Sequence, residues 1–370
     1  MKYGLIVHFK TLNIGDDIQC YAMEKLLPHT DYVIDREHLD SFYMPTGEKV
    51  AAFLGGWYMH KPLNWPPSPF LKLLPVAFHV TDRFKGTLTL TDYGLTWLKR
   101  FPAIGCRDES TVKLLRSHGL PAYLSGCFTL TLKPFADVTK HGKVVIVDCE
   151  REAVNFIRRN TKKEIVQIAH NYSKPTLPPE VVAYAEEHDT KEIIPTSHRP
   201  KQLDAQNERV YYKGTWSYRR ALIEGLLRFY QGASLVVTRR LHVMLPCLAL
   251  GVPVLLVKPE SDTSNYRLGT FKPFINHTTP EDLVSGKYTF NFNDPPTNPG
   301  GHKRIVRKIN SVCNEFITAC ENSAEEPKLD VELWLDSQRR LIRLKKIIKT
   351  LMPSAQLANP EPINEASYKF

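Results

Sequence analysis

The chain has 370 residues, 42% of them apolar and 24% charged, and this is the composition of a soluble globular protein with room for two domains. Its 49 basic residues outnumber its 39 acidic residues, and the net charge of +10 favours anionic partners. No run approaches the roughly 18–20 apolar residues of a membrane span, and no zinc-finger, RNA-recognition or KH signature is present. We therefore expect anionic metabolites or an anionic membrane surface as partners, and no nucleic acid.

Single cysteines stand at 20, 106, 127, 149, 247, 313 and 320, and no C-x-x-C pair suggests a zinc site or a disulfide framework. The first residues, MKYGLIVHFKTLN, hold too short an apolar core for a signal peptide. The expected location is the reducing cytoplasm. A peripheral position at the inner face of the membrane is an additional hypothesis.

Strands and helices alternate through the first half of the chain. YGLIVHF predicts a strand, LNIGDDIQCYAMEKLL a helix with apolar residues at helical spacing, and DYVID and VAAFLGGWYM further strands. FPAIGCRD predicts a short strand ending in a polar turn, STVKLLRSHG a helix closed by glycine, and PAYLSGCFTLTL another strand.

The second half repeats this alternation. KVVIVDCE, KEIVQIA, KEIIP, SLVVT and VPVLLV predict strands, and YRRALIEGLLRFYQG and RLHVMLPCLALG predict helices. Such β–α–β alternation is typical of parallel sheets with crossover helices. We predict an α/β protein with two Rossmann-like, doubly wound domains facing a cleft, at 1–138 and 139–324. A basic amphipathic helix at 325–352 and a flexible tail at 353–370 complete the prediction.

The stretch LVVTRRLHVML at 235–245 places two arginines and a histidine between a strand and a helix. No acidic residue lies nearby in the sequence, so we expect an anionic ligand to pair with Arg239 and Arg240, assisted by the helix N-terminus. His242 is predicted to titrate near neutral pH and to act as a general acid. The alternative is that both arginines reach solvent and His242 is a hydrogen-bonded core residue.

A second polar turn, IGCRDEST, follows a short strand at 104–111. Asp108 and Ser110 are typical helix caps. Arg107 is expected either to pair with Asp108 or Glu109 at the surface or to join an anion site.

The third stretch is LNIGDDIQ at 12–19. Gly15 permits a tight turn and a close backbone approach, with Asn13 and Gln19 as neighbouring polar groups. Asp16 or Asp17 is predicted to cap the helix, and a contact of Asp16 with a sugar hydroxyl is the alternative.

Several motifs are missing from the sequence: a Walker loop, H-E-x-x-H, G-x-S-x-G and an Asp-x-Asp pair. We therefore predict a metal-independent mechanism without a cofactor.

Together the three stretches resemble the polysaccharide pyruvyl transferase family, over residues 1 to about 275. The elements that carry the resemblance are Asn13-x-Gly15-Asp16 with Gln19, Gly105-Cys106-Arg107-Asp108-x-Ser110, and Val237-Thr238-Arg239-Arg240-Leu241-His242 continuing to ALGVPV at 249–254.

The resemblance implies a glycosyltransferase-B-like fold, with the acceptor on the first domain and the donor on the second. It implies transfer of a pyruvyl group from phosphoenolpyruvate to a sugar, as a ketal, during assembly of a capsule or exopolysaccharide of the cell envelope. The partners are then phosphoenolpyruvate, as donor substrate, and a glycan or lipid-linked sugar. Arg107 and Arg240 are implied to bind the donor, with His242 at the reacting carbon.

The remaining residues of these motifs are expected at the substrate as well: Arg239, Leu241, Asn13, Gly15, Gln19, Asp108 and Ser110. For the base that deprotonates the sugar, Asp16 and His8 are the candidates. One alternative function is a glycosyltransferase using a nucleotide sugar, because its pyrophosphate also suits arginines at a helix N-terminus. The other is a non-catalytic scaffold for polysaccharide assembly.

Near the C-terminus, RRLIRLKKIIKTLM predicts an amphipathic helix with a cationic face. Its apolar face is expected to pack back on the first domain, and its basic face to touch an anionic membrane.

Overall fold

A computed structural model describes residues 1–9, 11–58, 64–81, 92–172, 176–192, 194, 215–323 and 327–351. The strands in these ranges are β1 (Lys2–Val7), β2 (Tyr32–Asp35), β3 (Val50–Phe53), β4 (Gly56–Trp57), β5 (Leu71–Leu74), β6 (Phe78–His79), β7 (Ile104–Cys106), β8 (Ala122–Leu124), β9 (Val144–Val147), β10 (Ile165–Ile168), β11 (Leu235–Thr238), β12 (Val254–Val257) and β13 (Asn276–Thr278). The α-helices are α1 (Ile14–Glu24), α2 (Asp92–Leu98), α3 (Glu109–Ser117), α4 (Arg151–Asn160), α5 (Pro179–His188), α6 (Trp216–Gly232), α7 (Leu241–Ala249), α8 (Pro280–Val284), α9 (Lys303–Asn322) and α10 (Val331–Leu351).

All pairs among these strands are parallel, which confirms the predicted α/β class. The second half forms one sheet with the strand order β10-β9-β11-β12-β13. The first half forms two sheets, β2-β1-β3-β5 and β4-β6-β7-β8. The division falls at Gly55, between β3 and β4, where a Cβ atom would overlap the ring of Phe128.

In two of the sheets the strand order reverses beside the first strand, between β1 and β3 and between β9 and β11. Ligands of open parallel sheets bind at such switch points, beyond the carboxyl ends of the strands. The residues that follow β1, β9 and β11 therefore lie where a site is expected.

The five-stranded sheet of the second half is buried on both of its faces, as parallel sheets require, and its side chains alternate between the two faces. Val144 and Ile146 of β9 belong to one apolar cluster with Ala153 of α4. Val145 and Val147 belong to the main core, which continues into the first half of the chain.

Two predicted strands differ from the structure. The strand predicted at 121–132 ends at Leu124, because Gly126 adopts a φ of +86° and a short 3-10 turn follows at Phe128–Thr131. A Cβ atom at Gly126 would also overlap Ile305 of α9. In the strand predicted at 191–195, residues 191, 192 and 194 are not in a strand, and the other two lie outside the described residues.

A buried ion pair joins the two halves of the chain. Asp17 on α1 is paired through both carboxylate oxygens with Arg219 on α6 and also accepts a hydrogen bond of 2.6 Å from the Tyr172 hydroxyl. The prediction that Asp16 or Asp17 caps α1 is therefore wrong. The cap is Asn13, whose side chain accepts a hydrogen bond of 3.0 Å from the amide of Gly15.

Helix α10 contacts the first half through Trp334 near its N-terminus, whereas Leu341, Leu344 and Ile347 of the apolar face that was expected to pack there are exposed. Trp334 stacks on Tyr43 with ring centroids 5.3 Å apart and meets Phe70 edge-on at 5.4 Å. Among the described residues, no helix is long and apolar enough to cross a bilayer. The tail predicted at 353–370 lies outside the described residues.

Candidate active site

The two arginines after β11 already have carboxylate partners. Arg239 lies 2.6 Å from Asp262 and 3.3 Å from Glu150, and Arg240 donates from Nε to Asp148 at 2.7 Å. The premise that these arginines lack acidic partners is therefore wrong. Asp148 follows β9, so the Arg240–Asp148 pair lies at the switch point of the second sheet.

Helix α7 begins directly after Arg240 and carries His242 in its first turn. Leu241, its first residue, packs against the main core. His242 departs from helical geometry, with φ −87° and ψ 19°, and its ring lies against the start of α1. A Cβ atom at Gly15 would lie 2.9 Å from His242 Cβ and 3.1 Å from its Nδ1. The close approach predicted for Gly15 is thus made by a histidine of the other half of the chain.

Arg107 follows β7 and is almost fully buried, with 2% of its surface exposed. Its Nε donates to Asp108 at 3.2 Å, while Nη2 is buried without a hydrogen-bond partner. Asp108 also caps α3, because it accepts from the amide of Thr111 at 3.0 Å and from the Ser110 hydroxyl at 2.5 Å. The cap prediction is confirmed for Asp108 and wrong for Ser110, which lies inside α3 and donates to Asp108. Arg107 is buried, which excludes its predicted pairing at the surface.

His79, at the end of β6, completes this cluster. Its Nδ1 lies 2.9 Å from Asp108 and its Nε2 has no partner. Burial would raise the pKa of Asp108, but the neighbouring His79 and Arg107 hold that pKa well below its usual range. Burial, followed by the charge of Arg107, lowers the pKa of His79 to about 4.

A second arginine, which sequence reasoning missed, reaches this cluster from the second half. Arg267 ends a 3-10 turn at Asn265–Arg267, and its guanidinium carbon lies 5.6 Å from the ring centre of Trp57 and 5.9 Å from that of Tyr266. Both rings also contact His79, at centroid distances of 5.2 Å and 6.2 Å. The sequence offers one weak signal for Arg267: it follows the aromatic Tyr266 in the loop after β12.

Arg107 and Arg267 bring positive charge together without enough negative charge to balance it. Burial and then the charge of Arg107 lower the pKa of Arg267, and no described carboxylate forms an ion pair with it. Burial, Arg107 and Arg267 also lower the pKa of His242 to about 3, partly offset by Asp16. The prediction that His242 titrates near neutral pH is therefore wrong for the free protein. A buried excess of cations is what an anion site requires.

Polar groups from the loop after β1 and from the start of α1 lie near His242. Asp16 accepts hydrogen bonds from the Thr11 hydroxyl at 2.7 Å and lies 3.3 Å from Nδ1 of His8, whose Nε2 is 3.8 Å from Glu37. Burial would raise the pKa of Asp16, but His8 and the charge of Arg36 hold it well below its usual range. Asp16 is therefore ionised, and its carboxylate already contacts Thr11 and His8.

Two further side chains in this region have unsatisfied polar atoms. Nε2 of Gln19 is buried without a partner, and a Cβ atom at Gly56, next to Trp57, would lie 4.0 Å from it. His170, beyond β10, is 1% exposed and neither ring nitrogen has a partner. Sequence reasoning missed His170, because its strand predicts burial and nothing nearby suggests chemistry.

These residues define an α/β protein with a buried, cation-rich centre between its two halves. A family model described as polysaccharide pyruvyl transferase matches residues 13–261, which is more than half of the chain. The chain therefore belongs to the polysaccharide pyruvyl transferase family, whose description implies a transferase with a polysaccharide acceptor.

Solved structures are similar only at a distance. A putative UDP-N-acetylglucosamine 2-epimerase from Listeria monocytogenes is 13% identical with a TM-score of 0.42, over 90% of this chain and 100% of its own. The S. aureus MnaA–UDP structure is 11% identical with a TM-score of 0.42, over 89% and 100%. The wall teichoic acid polymerase TagF is 11% identical with a TM-score of 0.36, over 95% and 90%. No curated protein matches significantly.

Proposed function

We propose that the protein transfers the pyruvyl group of phosphoenolpyruvate to two hydroxyls of a sugar, forming a ketal on a surface polysaccharide or its lipid-linked precursor. The observation that carries this proposal is the buried cluster of Arg107 and Arg267, one from each half. Arg107 and His79 share Asp108, and Arg267 lies on the two aromatic rings that contact His79. His242 is close enough for both arginine charges to lower its pKa. Phosphoenolpyruvate carries a carboxylate and a phosphate on neighbouring atoms, so one guanidinium group can bind each of them bidentately.

The donor is placed between Arg107 and Arg267 rather than at Arg239 and Arg240, because carboxylates already pair with the latter two. Guanidinium groups supply the positive charge that neutralises the phosphate as it departs, so this chemistry requires neither a metal nor a cofactor.

His242 is the proposed general acid. The negative charge of the donor offsets Arg107 and Arg267 and so raises the pKa of His242, which then takes up a proton. That proton is transferred to the methylene carbon of the donor, which becomes a methyl group, and positive charge develops at the neighbouring carbon. A sugar hydroxyl attacks this carbon and loses its proton.

The phosphate then leaves with the electrons of its C–O bond, and a second hydroxyl closes the ketal. Of the two hydroxyl protons, one replaces the proton given by His242 and the other leaves on phosphate. Phosphoenolpyruvate and a diol thus yield a ketal and phosphate, without an oxidant or reductant.

For the base we favour His8 over Asp16. The low pKa of Asp16 makes it a weak proton acceptor, whereas Nδ1 of His8 lies 3.3 Å from its carboxylate, which orients the ring. His8→Gln should lower phosphate release with a glycan acceptor by about 10²-fold and leave donor binding unchanged. Stopped-flow phosphate detection measures the first effect and thermal unfolding with donor the second. An equal rate in the variant would remove His8 from the mechanism.

Donor binding is tested by ligand-induced stabilisation. At about 100 times its Kd, phosphoenolpyruvate should stabilise the native protein by about 2.7 kcal/mol, measured from thermal unfolding, while UDP and CMP should have no effect. Arg107→Met and Arg267→Met should each abolish the stabilisation, because each leaves one anionic group unpaired.

Arg159→Met, on the exposed face of α4, is the matched control and should behave like the wild type. Stabilisation by UDP or CMP instead of phosphoenolpyruvate would favour a nucleotide-sugar glycosyltransferase. No stabilisation by any of the three would favour a non-catalytic scaffold.

A further inference from the structure

Helix α10 exposes several large apolar side chains. Leu333 is 66% exposed, Leu341 37%, Leu344 55% and Ile347 52%. Their spacing of 8, 3 and 3 residues places them on one side of the helix. These four, called the apolar stripe here, are half of the exposed large apolar side chains among the described residues. Apolar exposure is thus concentrated on one helix.

The charges that follow Asp336 along this helix have one sign. After Asp336 the helix contains no acidic residue as far as Leu351, and it contains six basic residues: Arg339, Arg340, Arg343, Lys345, Lys346 and Lys349. Arg340 pairs with Asp336 at 2.7 Å, and Lys345 pairs with Asp40 of the first half at 3.0 Å. Arg339, Arg343 and Lys346 are exposed.

We propose that the apolar stripe docks on an anionic lipid bilayer, with α10 lying in the plane of the interface. Apolar side chains then enter the boundary between headgroups and acyl chains, and the flanking cations meet lipid phosphates. A second copy of the chain is the less suitable occupant, because an isologous contact would place this basic half of the helix against its own positive charge.

The packing of α10 links this surface to the candidate active site. Besides Asp40, Lys345 donates to the side chain of Asn64 at 3.4 Å, and Asn64 donates to the carbonyl oxygen of Glu37 at 2.6 Å. The carboxylate of Glu37 lies 3.8 Å from His8. The docked helix therefore adjoins the side of the site where we place the sugar. Resting on the proposed function, this geometry points to a lipid-linked sugar as the acceptor.

Vesicle co-sedimentation tests the docking. The full chain should bind vesicles of equal parts phosphatidylglycerol and phosphatidylcholine and should not bind pure phosphatidylcholine. High salt should release it, because the Debye length falls to about 3 Å at about 1 M. The double variant Leu344→Gln/Ile347→Gln removes apolar contact without changing charge, and Arg340→Gln/Arg343→Gln removes charge alone. Each should weaken binding by about tenfold or more.

Val284→Gln, at a residue of α8 that is 40% exposed, is the matched control and should bind as the wild type does. Equal binding of the wild type and both double variants would overturn the docking proposal. So would a change from dimer to monomer in the Leu344→Gln/Ile347→Gln variant, measured by light scattering, since the stripe would then be a protein interface.

The same variants separate this proposal from the proposed function. Stabilisation by phosphoenolpyruvate, and phosphate release with a water-soluble glycan, should stay at wild-type values in both double variants. Vesicle binding without any donor stabilisation would refute pyruvyl transfer and leave the docking surface in place. Stabilisation by phosphoenolpyruvate without vesicle binding would refute the docking surface and leave the proposal of pyruvyl transfer in place.

Discussion

Replacing His242 by glutamine should lower the rate of pyruvyl transfer by about 10²–10⁴-fold, while stabilisation by phosphoenolpyruvate persists. Glutamine retains a polar side chain beside Gly15 but cannot deliver a proton to carbon. Phosphate release in the presence of a glycan measures the rate, and thermal unfolding with the donor measures binding. Full activity of the variant would exclude the imidazole from the chemistry.

The same residue links donor binding to pH. In the free protein the pKa of His242 is about 3, below the 6.5 of an unperturbed histidine, so the unfolded chain binds protons that the folded chain does not. Stability from this group is therefore complete above about pH 6.5 and is lost as the pH falls toward 3. Arg107, Arg267, His79 and Asp16 are the charged or titratable groups that set this pKa.

Because donor binding offsets the arginine charges, it should be accompanied by proton uptake near neutral pH. Calorimetry in two buffers of different ionisation enthalpy measures that uptake. The wild type should take up a proton that His242→Gln does not. His79 has a lowered pKa as well, so equal uptake in both proteins would assign the proton to His79 and contradict the role of His242.

The largest loss of stability is expected from Arg219→Met, which should lower the free energy of unfolding by about 3–5 kcal/mol. Asp17 is fully buried, and the variant would leave its carboxylate with the Tyr172 hydroxyl but without a countercharge. Urea denaturation followed by circular dichroism measures the change. Adding Asp17→Asn should recover part of the loss, because the unpaired buried charge is then removed.

The neighbouring Arg220 provides the control. Its side chain is 28% exposed and pairs with Glu24 at 3.6 Å, so Arg220→Met should change the free energy of unfolding by only about 0–1 kcal/mol. If both arginine variants lost the same free energy of unfolding, the buried Arg219–Asp17 pair would be no more important for stability than the exposed Arg220–Glu24 pair.

Much of the fold was predictable because its signals are local. Apolar strands, helical periodicity and their alternation predicted the parallel sheets, and Arg107 and His242 were placed in polar turns at strand ends. The acidic partners of Arg239 and Arg240 were not predictable in this way. They lie 23, 89 and 92 residues away in the chain, and only the order of strands in the sheet brings them close.

Arg267 and His170 were missed for a related reason. Arg267 belongs to an irregular turn without periodicity, and its proximity to Arg107 follows from packing between the two halves. The unpartnered ring of His170 is a property of three-dimensional surroundings. The same holds for the pKa of His242: the residue type alone suggests a value near neutrality, whereas burial and then the charge of Arg107 lower it.

The contact between Gly15 and His242 limits how chains of this architecture can diverge. Even a methyl group at position 15 would displace the imidazole or force the halves apart, since the hypothetical Cβ–Cβ separation is only 2.9 Å. If His242 delivers the proton as proposed, a chain with a larger residue at position 15 must hold its proton donor elsewhere. The residue at that one backbone position therefore predicts which relatives can place an imidazole here.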